Sequence, residues 1–233
     1  MSTIKETLRG LRRQSILGAA LDHPHYIVLS LIGTWLQDVA LNEAQGVMLD
    51  YGCGGQPYKS FFMPKLSRYI GADVAAAEGV SLDIEIEPCQ ALPLDAASID
   101  TLLSTQALEH LDDVEFYLGE CARLVRPGGV LILTAPMQWR HHEVPYDYWR
   151  FTKFGLISLL ERHDFSIKSI SPCGGVYALI GQIFLSHLHE RGVQKKWLNK
   201  IINRLALYLD NRWIDKDDTL NWQVIAIRKI NEA

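Results

Sequence analysis

The sequence predicts an α/β protein built on a parallel sheet, and three observations carry that prediction. From position 46 onward, short β-rich runs alternate with stretches of helical spacing, the pattern of strands joined by crossover helices. Val47 to Gly55 reads VMLDYGCGG, an apolar run ending in an acid and followed by glycines at alternating positions. Buried parallel strands read as short apolar runs, and ligands bind beyond their carboxyl ends. Finally, 233 residues with 48% hydrophobic and 21% charged content supply enough apolar side chain for one large core.

In chain order, residues 1–45 read as an N-terminal helical lead-in or cap, and 46–233 as the main domain. Strands are expected at 47–51, 68–72, 81–86, 99–104, 130–135, 165–170 and 222–228. Between the fourth and fifth lies a helix from about 113 to 125, with Asp112 and Glu115 in capping-box positions. Val114, Leu118, Cys121 and Val125 repeat there at helical spacing. Arg123 and Arg126 suit the helix's negative end, and Pro127-Gly128-Gly129 stops it. Thr152 can cap a second helix reaching about His163. Residues 172–220 form a helical insertion before the last strand, expected to cap the acceptor side. Val176 to Leu188 is nearly continuous apolar text, and a helix follows with Trp197, Ile201 and Leu205 on one side. Lys196, Lys200 and Arg204 lie on the adjacent side, so residues 196–204 are suited to peripheral contact with an anionic membrane. Sheet covering or a homodimer interface would use the same surface.

Charge and cysteine usage narrow the function classes. A net charge of -4 gives no electrostatic case for nucleic-acid binding. Cys53, Cys89, Cys121 and Cys173 form no CxxC pair and fit reduced thiols of a cytoplasmic protein. Arg9, Arg12 and Arg13 precede no long apolar core, and the apolar stretch at 26–36 is too short to span a bilayer. His141-His142-Glu143 invites a metal reading, but adjacent histidines do not easily point at one ion and no third ligand has motif spacing. No metal site is expected.

The glycine loop is the first candidate site. Glycine permits positive φ and a close approach of backbone to ligand, so Asp50, Gly52 and Gly54 are candidate binding residues. In a dinucleotide GxGxxG loop the third glycine would fall on Pro57, which has no N–H to offer a phosphate. This disfavours a nucleotide-dependent oxidoreductase. Asp73 follows the second strand and can accept hydrogen bonds from both hydroxyls of a ribose. Then come Leu92-Pro93-Leu94, a strand ending in Ser104-Thr105-Gln106, the pair Glu109-His110, and RLVRPGG at 123–129.

In order and spacing these landmarks resemble the class I S-adenosylmethionine-dependent methyltransferase family, in particular its type 11 branch, over roughly residues 45–170. The resemblance implies a Rossmann-like fold, a seven-stranded mostly parallel sheet with flanking helices, and S-adenosylmethionine as cofactor. It implies that Asp50, Gly52 and Gly54 meet the methionine moiety and Asp73 the ribose. Glu87, Cys89 and Gln90 would lie near the adenine, and Thr105 and Gln106 under the sulfonium. This chain has Gln56 where the family often has another glycine, and Pro57-Tyr58 follows instead of a plain helix start.

Chemistry is expected in the loop at 136–150, beyond the fifth strand. Histidine suits general-base work on a hydroxyl, which makes His142 the candidate base and His141 the second choice. Glu143, Tyr146, Tyr148 and Arg150 are candidate substrate contacts, although an Asp147–Arg150 ion pair and apolar anchoring by Tyr148 and Trp149 would simply fold the loop. The expected activity is O-methylation of a small-molecule or glycan hydroxyl. N- or C-methylation of a small molecule, and a non-catalytic cofactor-binding scaffold for a partner, are the alternatives.

Overall fold

The computed structural model describes residues 19–230, apart from 214 and 216. The arginines at 9, 12 and 13 lie outside the described residues. Seven strands form one sheet: β1 (Gly46–Tyr51), β2 (Leu66–Asp73), β3 (Ile84–Glu85), β4 (Ile99–Thr105), β5 (Val125–Pro136), β6 (Phe165–Cys173) and β7 (Asn221–Arg228). Their spatial order is β3-β2-β1-β4-β5-β7-β6. The first five strands pair in parallel, while β7 inserts antiparallel between β5 and β6. All seven expected strands are present, in a mostly parallel sheet.

The helices are α1 (Tyr26–Asn42), α2 (Lys59–Phe62), α3 (Val114–Leu124), α4 (Lys153–Arg162), α5 (Val176–Glu190) and α6 (Lys196–Arg212). Alternation along each strand divides the core between the two faces of the sheet. Leu49, Leu102 and Leu131 belong to a cluster containing Leu118, Cys121 and Leu124 of α3 and Leu156 and Leu160 of α4. Met48, Leu103 and Ile132 belong to the other, with Ile27, Ile32 and Leu36 of α1, Leu185 of α5 and Ala206 of α6.

Local details differ from the sequence reading. The cap of α3 falls one residue later, with Asp113 accepting from the Phe116 amide at 2.8 Å. Thr152 caps α4 as expected, accepting from Gly155 N at 3.1 Å. The helix α3 ends before Pro127-Gly128-Gly129, which lies inside β5. Arg123 is not a free helix-end charge. It donates to both carboxylate oxygens of Glu120 and to the carbonyls of Leu92 and Leu94, fixing the Leu-Pro-Leu loop. β3 shrinks to two residues because Asp83 turns its carboxylate to the Gly71 amide, at 2.8 Å, instead of joining the strand.

The insertion covers the sheet together with α1. Its second helix, α6, carries its polar stripe inward. Asn199 and Asn203 are buried and donate to the carbonyls of Asp22, Leu21 and His23. Consequently Trp197, Ile201, Leu205 and Tyr208 face solvent, each more than half exposed. Among the described residues, no helix is long and apolar enough to cross a membrane.

Candidate active site

The loop after β1 is shaped by positive-φ residues and held by Asp73. Gly52 has φ 85, and a Cβ there would lie 2.9 Å from the Ala107 side chain. Its amide and that of Cys53 donate to the Ala72 carbonyl. Asp73, at the end of β2 and almost fully buried, accepts from Gly54 N at 2.7 Å and Val74 N at 2.6 Å. Gln56 takes φ 53, a left-handed conformation that favours glycine. Its side chain compensates by donating to the Ser81 carbonyl and accepting from Lys59 Nζ, both at 3.0 Å.

Beside this loop, at the carboxyl ends of β1, β2 and β4, lies a cavity of ≈ 240 Å³. Gly52, Asp73, Glu87, Cys89 and Gln106 line it, as do Tyr146 and Tyr148 from the loop beyond β5. Other candidates stand elsewhere. Asp50 lies behind the glycine loop with its Oδ2 accepting from the Tyr69 hydroxyl at 2.6 Å. Burial pushes its pKa up to about 7, against the opposing effects of Tyr69 and Lys59, and its Oδ1 accepts no hydrogen bond. Gly54 is engaged with Asp73, Thr105 stays in the sheet opposite Thr134, and Gln90 is exposed at a turn closed on the Glu87 carbonyl.

Neither His141 nor His142 lines the cavity; His110 does. The His141 side chain is 90% exposed and lies 3.3 Å from Asp147. Arg150 is likewise directed away, donating to both oxygens of Asp147 and to the carbonyls of Trp139, Arg140 and Trp149. Asp147 also accepts from the His142 amide at 3.1 Å. Burial opposes its ionisation, but Arg150 and His142 hold Asp147 well below the usual carboxylate range. This pair folds the loop. The Glu109 carbonyl then fastens it to the 3-10 turn Leu108–His110 by accepting from Tyr148 N at 2.8 Å.

Four side chains converge beside the cavity wall. His110 and His142 meet edge to face with ring centroids 4.7 Å apart. His110 Nε2 lies 3.9 Å from Glu109 Oε1 and 3.9 Å from Glu143 Oε2. Burial raises the Glu109 pKa to about 8 and lowers that of His142, His110 adding to the latter. The sequence reading named Glu109-His110 as a landmark but did not connect it with the distant His142-Glu143. Tyr51, Phe116 and Tyr117 of the cavity wall were also missed, since apolar and aromatic residues at these positions read as ordinary core.

The parallel sheet, the glycine loop and the acid closing β2 define a Rossmann-like methyltransferase architecture. Residues 49–133, from β1 into β5, match the family model for a methyltransferase domain. That segment is similar to the type 11 branch of the class I S-adenosylmethionine-dependent methyltransferases. It is similar to the ubiquinone biosynthesis O-methyltransferase of Sinorhizobium fredii, 32% identical over 97 residues. That match covers 37% of this chain and 39% of the relative, so it spans less than half of either. Among solved structures, the [4+2]-cyclase SpnF shares the fold with a TM-score of 0.59 at 16% identity, over 86% of this chain and 80% of that one. The 1,6-didemethyltoxoflavin-N1-methyltransferase of Burkholderia thailandensis, solved with 1,6-didemethyltoxoflavin and S-adenosylhomocysteine, gives 0.55 at 16% identity, over 88% and 80%. A cyclase among them makes the general point that this fold does not dictate the reaction.

Proposed function

We propose that this protein transfers the methyl group of S-adenosylmethionine to a hydroxyl oxygen of a small molecule or glycan. The observation that carries the reading is the cavity bounded by both the glycine loop and Asp73, with tyrosines and a histidine on its other side. The residues present fit the cofactor. Asp73 accepts two backbone amides and lines the cavity at the end of β2, where ribose hydroxyls would meet its carboxylate. Ile86, Pro88 and Leu111 offer apolar surface to a flat base. The open Oδ1 of Asp50 lies behind the glycines, suited to an ammonium reached through a water. When bound, the cofactor supplies an electrophilic methyl carbon and a neutral thioether leaving group.

The chain's own residues then have two tasks. Tyr146 and Tyr148 orient the acceptor and exclude water, on a loop made rigid by Asp147 and Arg150. The cluster of Glu109, His110, His142 and Glu143 borders the acceptor end and promotes loss of the hydroxyl proton, with His110 facing the cavity. The similarity to an O-methyltransferase over the matched segment supports oxygen as acceptor atom. Incubation with isotope-labelled cofactor and a set of phenols, sugars and amines, followed by mass spectrometry, tests the reading. It calls for a methyl ether; exclusive methylation of amines would overturn the preference for oxygen.

We also propose that α6 rests on an anionic membrane surface. Its outward Trp197, Ile201, Leu205 and Tyr208 are accompanied by exposed Lys196, Lys200 and Arg204, and α5 adds exposed Ile180, Ile183 and Phe184. Apolar side chains with flanking cations suit a lipid interface, where an acceptor with an apolar tail would reside.

A further inference from the structure

We propose that Glu109, His110 and His142, with Glu143 beside them, form a binding site for one divalent transition-metal ion of the zinc or manganese type at the acceptor end of the cavity. Ligand atoms of the first three residues lie within 4.8 Å of one another. The fourth brings Oε2 to 3.9 Å from His110 Nε2, the same distance as Glu109 Oε1. These separations are too long for hydrogen bonds. Two atoms each about 2.1 Å from a common ion stand about 3.0–4.2 Å apart, so both 3.9 Å contacts of His110 already have coordination-shell spacing, and the 4.8 Å bound on the three ligands calls for only a small contraction.

Hydrogen bonding points the same way. His110 Nδ1 lies 2.7 Å from the Tyr146 carbonyl, which can only accept. The Nδ1 proton is thereby fixed, and in the neutral imidazole Nε2 turns its lone pair toward the carboxyl groups of Glu109 and Glu143. This backbone-carbonyl contact is the usual device for orienting a metal-bound imidazole. Acceptors facing one another in this way are satisfied by a shared proton or by a cation between them, and a cation can meet all of them at once. Glu109 is fully buried, yet both its carboxylate oxygens, together with His142 Nδ1 and Glu143 Oε2, are without a hydrogen-bond partner. Arg150, the guanidinium whose charge bears on Glu109, directs its donors to Asp147 and to carbonyls. Asp147 lies 3.6 Å from His142 Nδ1, but both its oxygens are matched by Arg150, which leaves that guanidinium no donor for Glu109 or Glu143. Mixed imidazole and carboxylate donors favour a first-row divalent ion over magnesium or calcium.

The site is assembled from the turn after β4 and the loop after β5, which is why neither segment alone has metal-ligand spacing. His110 also lines the cavity, so a bound ion would stand where an acceptor oxygen approaches. There it would lower the pKa of a coordinated hydroxyl, so that its proton could leave to water while the oxygen stayed bound. That role rests on the methyl-transfer reading; the metal site itself does not.

The test uses the full chain, stripped with chelator and titrated separately with zinc and manganese chloride by calorimetry, with bound metal counted by mass spectrometry after gel filtration. One equivalent should bind with at least one of the two ions. Glu109→Gln and His142→Asn should each weaken binding 10–100-fold or more, while circular dichroism and S-adenosylmethionine affinity stay unchanged. If Glu109→Gln fails to fold, Glu143→Gln, at a partly exposed position, replaces it and should show a smaller loss. Absence of stoichiometric binding of either ion, or unchanged affinity in folded His142→Asn and Glu143→Gln, would overturn the proposal. If metal binds as expected but no acceptor is methylated, the metal site stands and the methyl-transfer reading is what fails.

Discussion

Gly52 and Gln56 both adopt left-handed backbone, but for different reasons. At Gly52 a Cβ would press on Ala107, so the loop leaves no room for a side chain. At Gln56 the conformation is held by side-chain bonds to Ser81 and Lys59. A sequence shows the first case, because glycine announces itself. It hides the second, because the partners are distant in the chain. The same limit applies to Asp50. Its position before the glycines was legible, whereas its engagement with Tyr69 behind the loop depends on β1 and β2 being neighbours.

A residue-scale prediction concerns His25, at the start of α1. Burial, joined by His23, His189 and Arg140, pushes its pKa down to about 4 from 6.5, with Glu190 opposing. Its ring packs against Trp139 and His189, and its Nδ1 is 3.2 Å from Gln182 Nε2. The unfolded chain therefore takes up this proton near pH 6.5, while the folded chain resists until about 4. Its contribution to stability is complete above pH 6.5 and is lost as pH falls toward 4. Urea unfolding between pH 8 and pH 4.5 should show a fall in midpoint below about 6.5, the unperturbed histidine value. His25→Phe should show a shallower fall over the same interval. Equal pH dependence in the two proteins would count against the assignment.

At the scale of elements, the strands were the most legible part because buried parallel strands have little choice but continuous apolar text. The helix α6 was legible only in part. Its amphipathic pattern identifies a helix with two unlike faces, but does not say which one turns inward. Here the carbonyls at 21–23 accept from Asn199 and Asn203, leaving the tryptophan-bearing face outside. Each basic residue near an anionic surface contributes about 1 kcal/mol. Co-sedimentation with phosphatidylglycerol-containing vesicles should therefore exceed that with neutral vesicles and weaken with salt. Replacing Lys196, Lys200 and Arg204 together by glutamate should abolish the difference. If the wild type ignores both vesicles, or forms a stable dimer that occludes Trp197, the membrane reading of this face fails.

For the whole molecule, the sheet brings the ends of β1, β2 and β4 together around one cavity, while loops from elsewhere complete its acceptor side. The glycine loop and Asp73 could be read from a single βαβ segment, because their spacing is local. The cluster of Glu109, His110, His142 and Glu143 required the turn after β4 to meet the loop after β5, a meeting that no sequence period reports. The cavity matters most for its choice of ligand. Asp73 closes β2 and holds the glycine loop, but Pro57 removes an amide that a dinucleotide pyrophosphate would use. Calorimetric titration with S-adenosylmethionine, S-adenosylhomocysteine and NAD, repeated on Asp73→Ala, tests this most directly. Both adenosyl ligands should bind more tightly than NAD, and Asp73→Ala should cost about 1.5–3 kcal/mol of their affinity. Tighter binding of NAD, or adenosyl-ligand binding unaffected by the substitution, would contradict it.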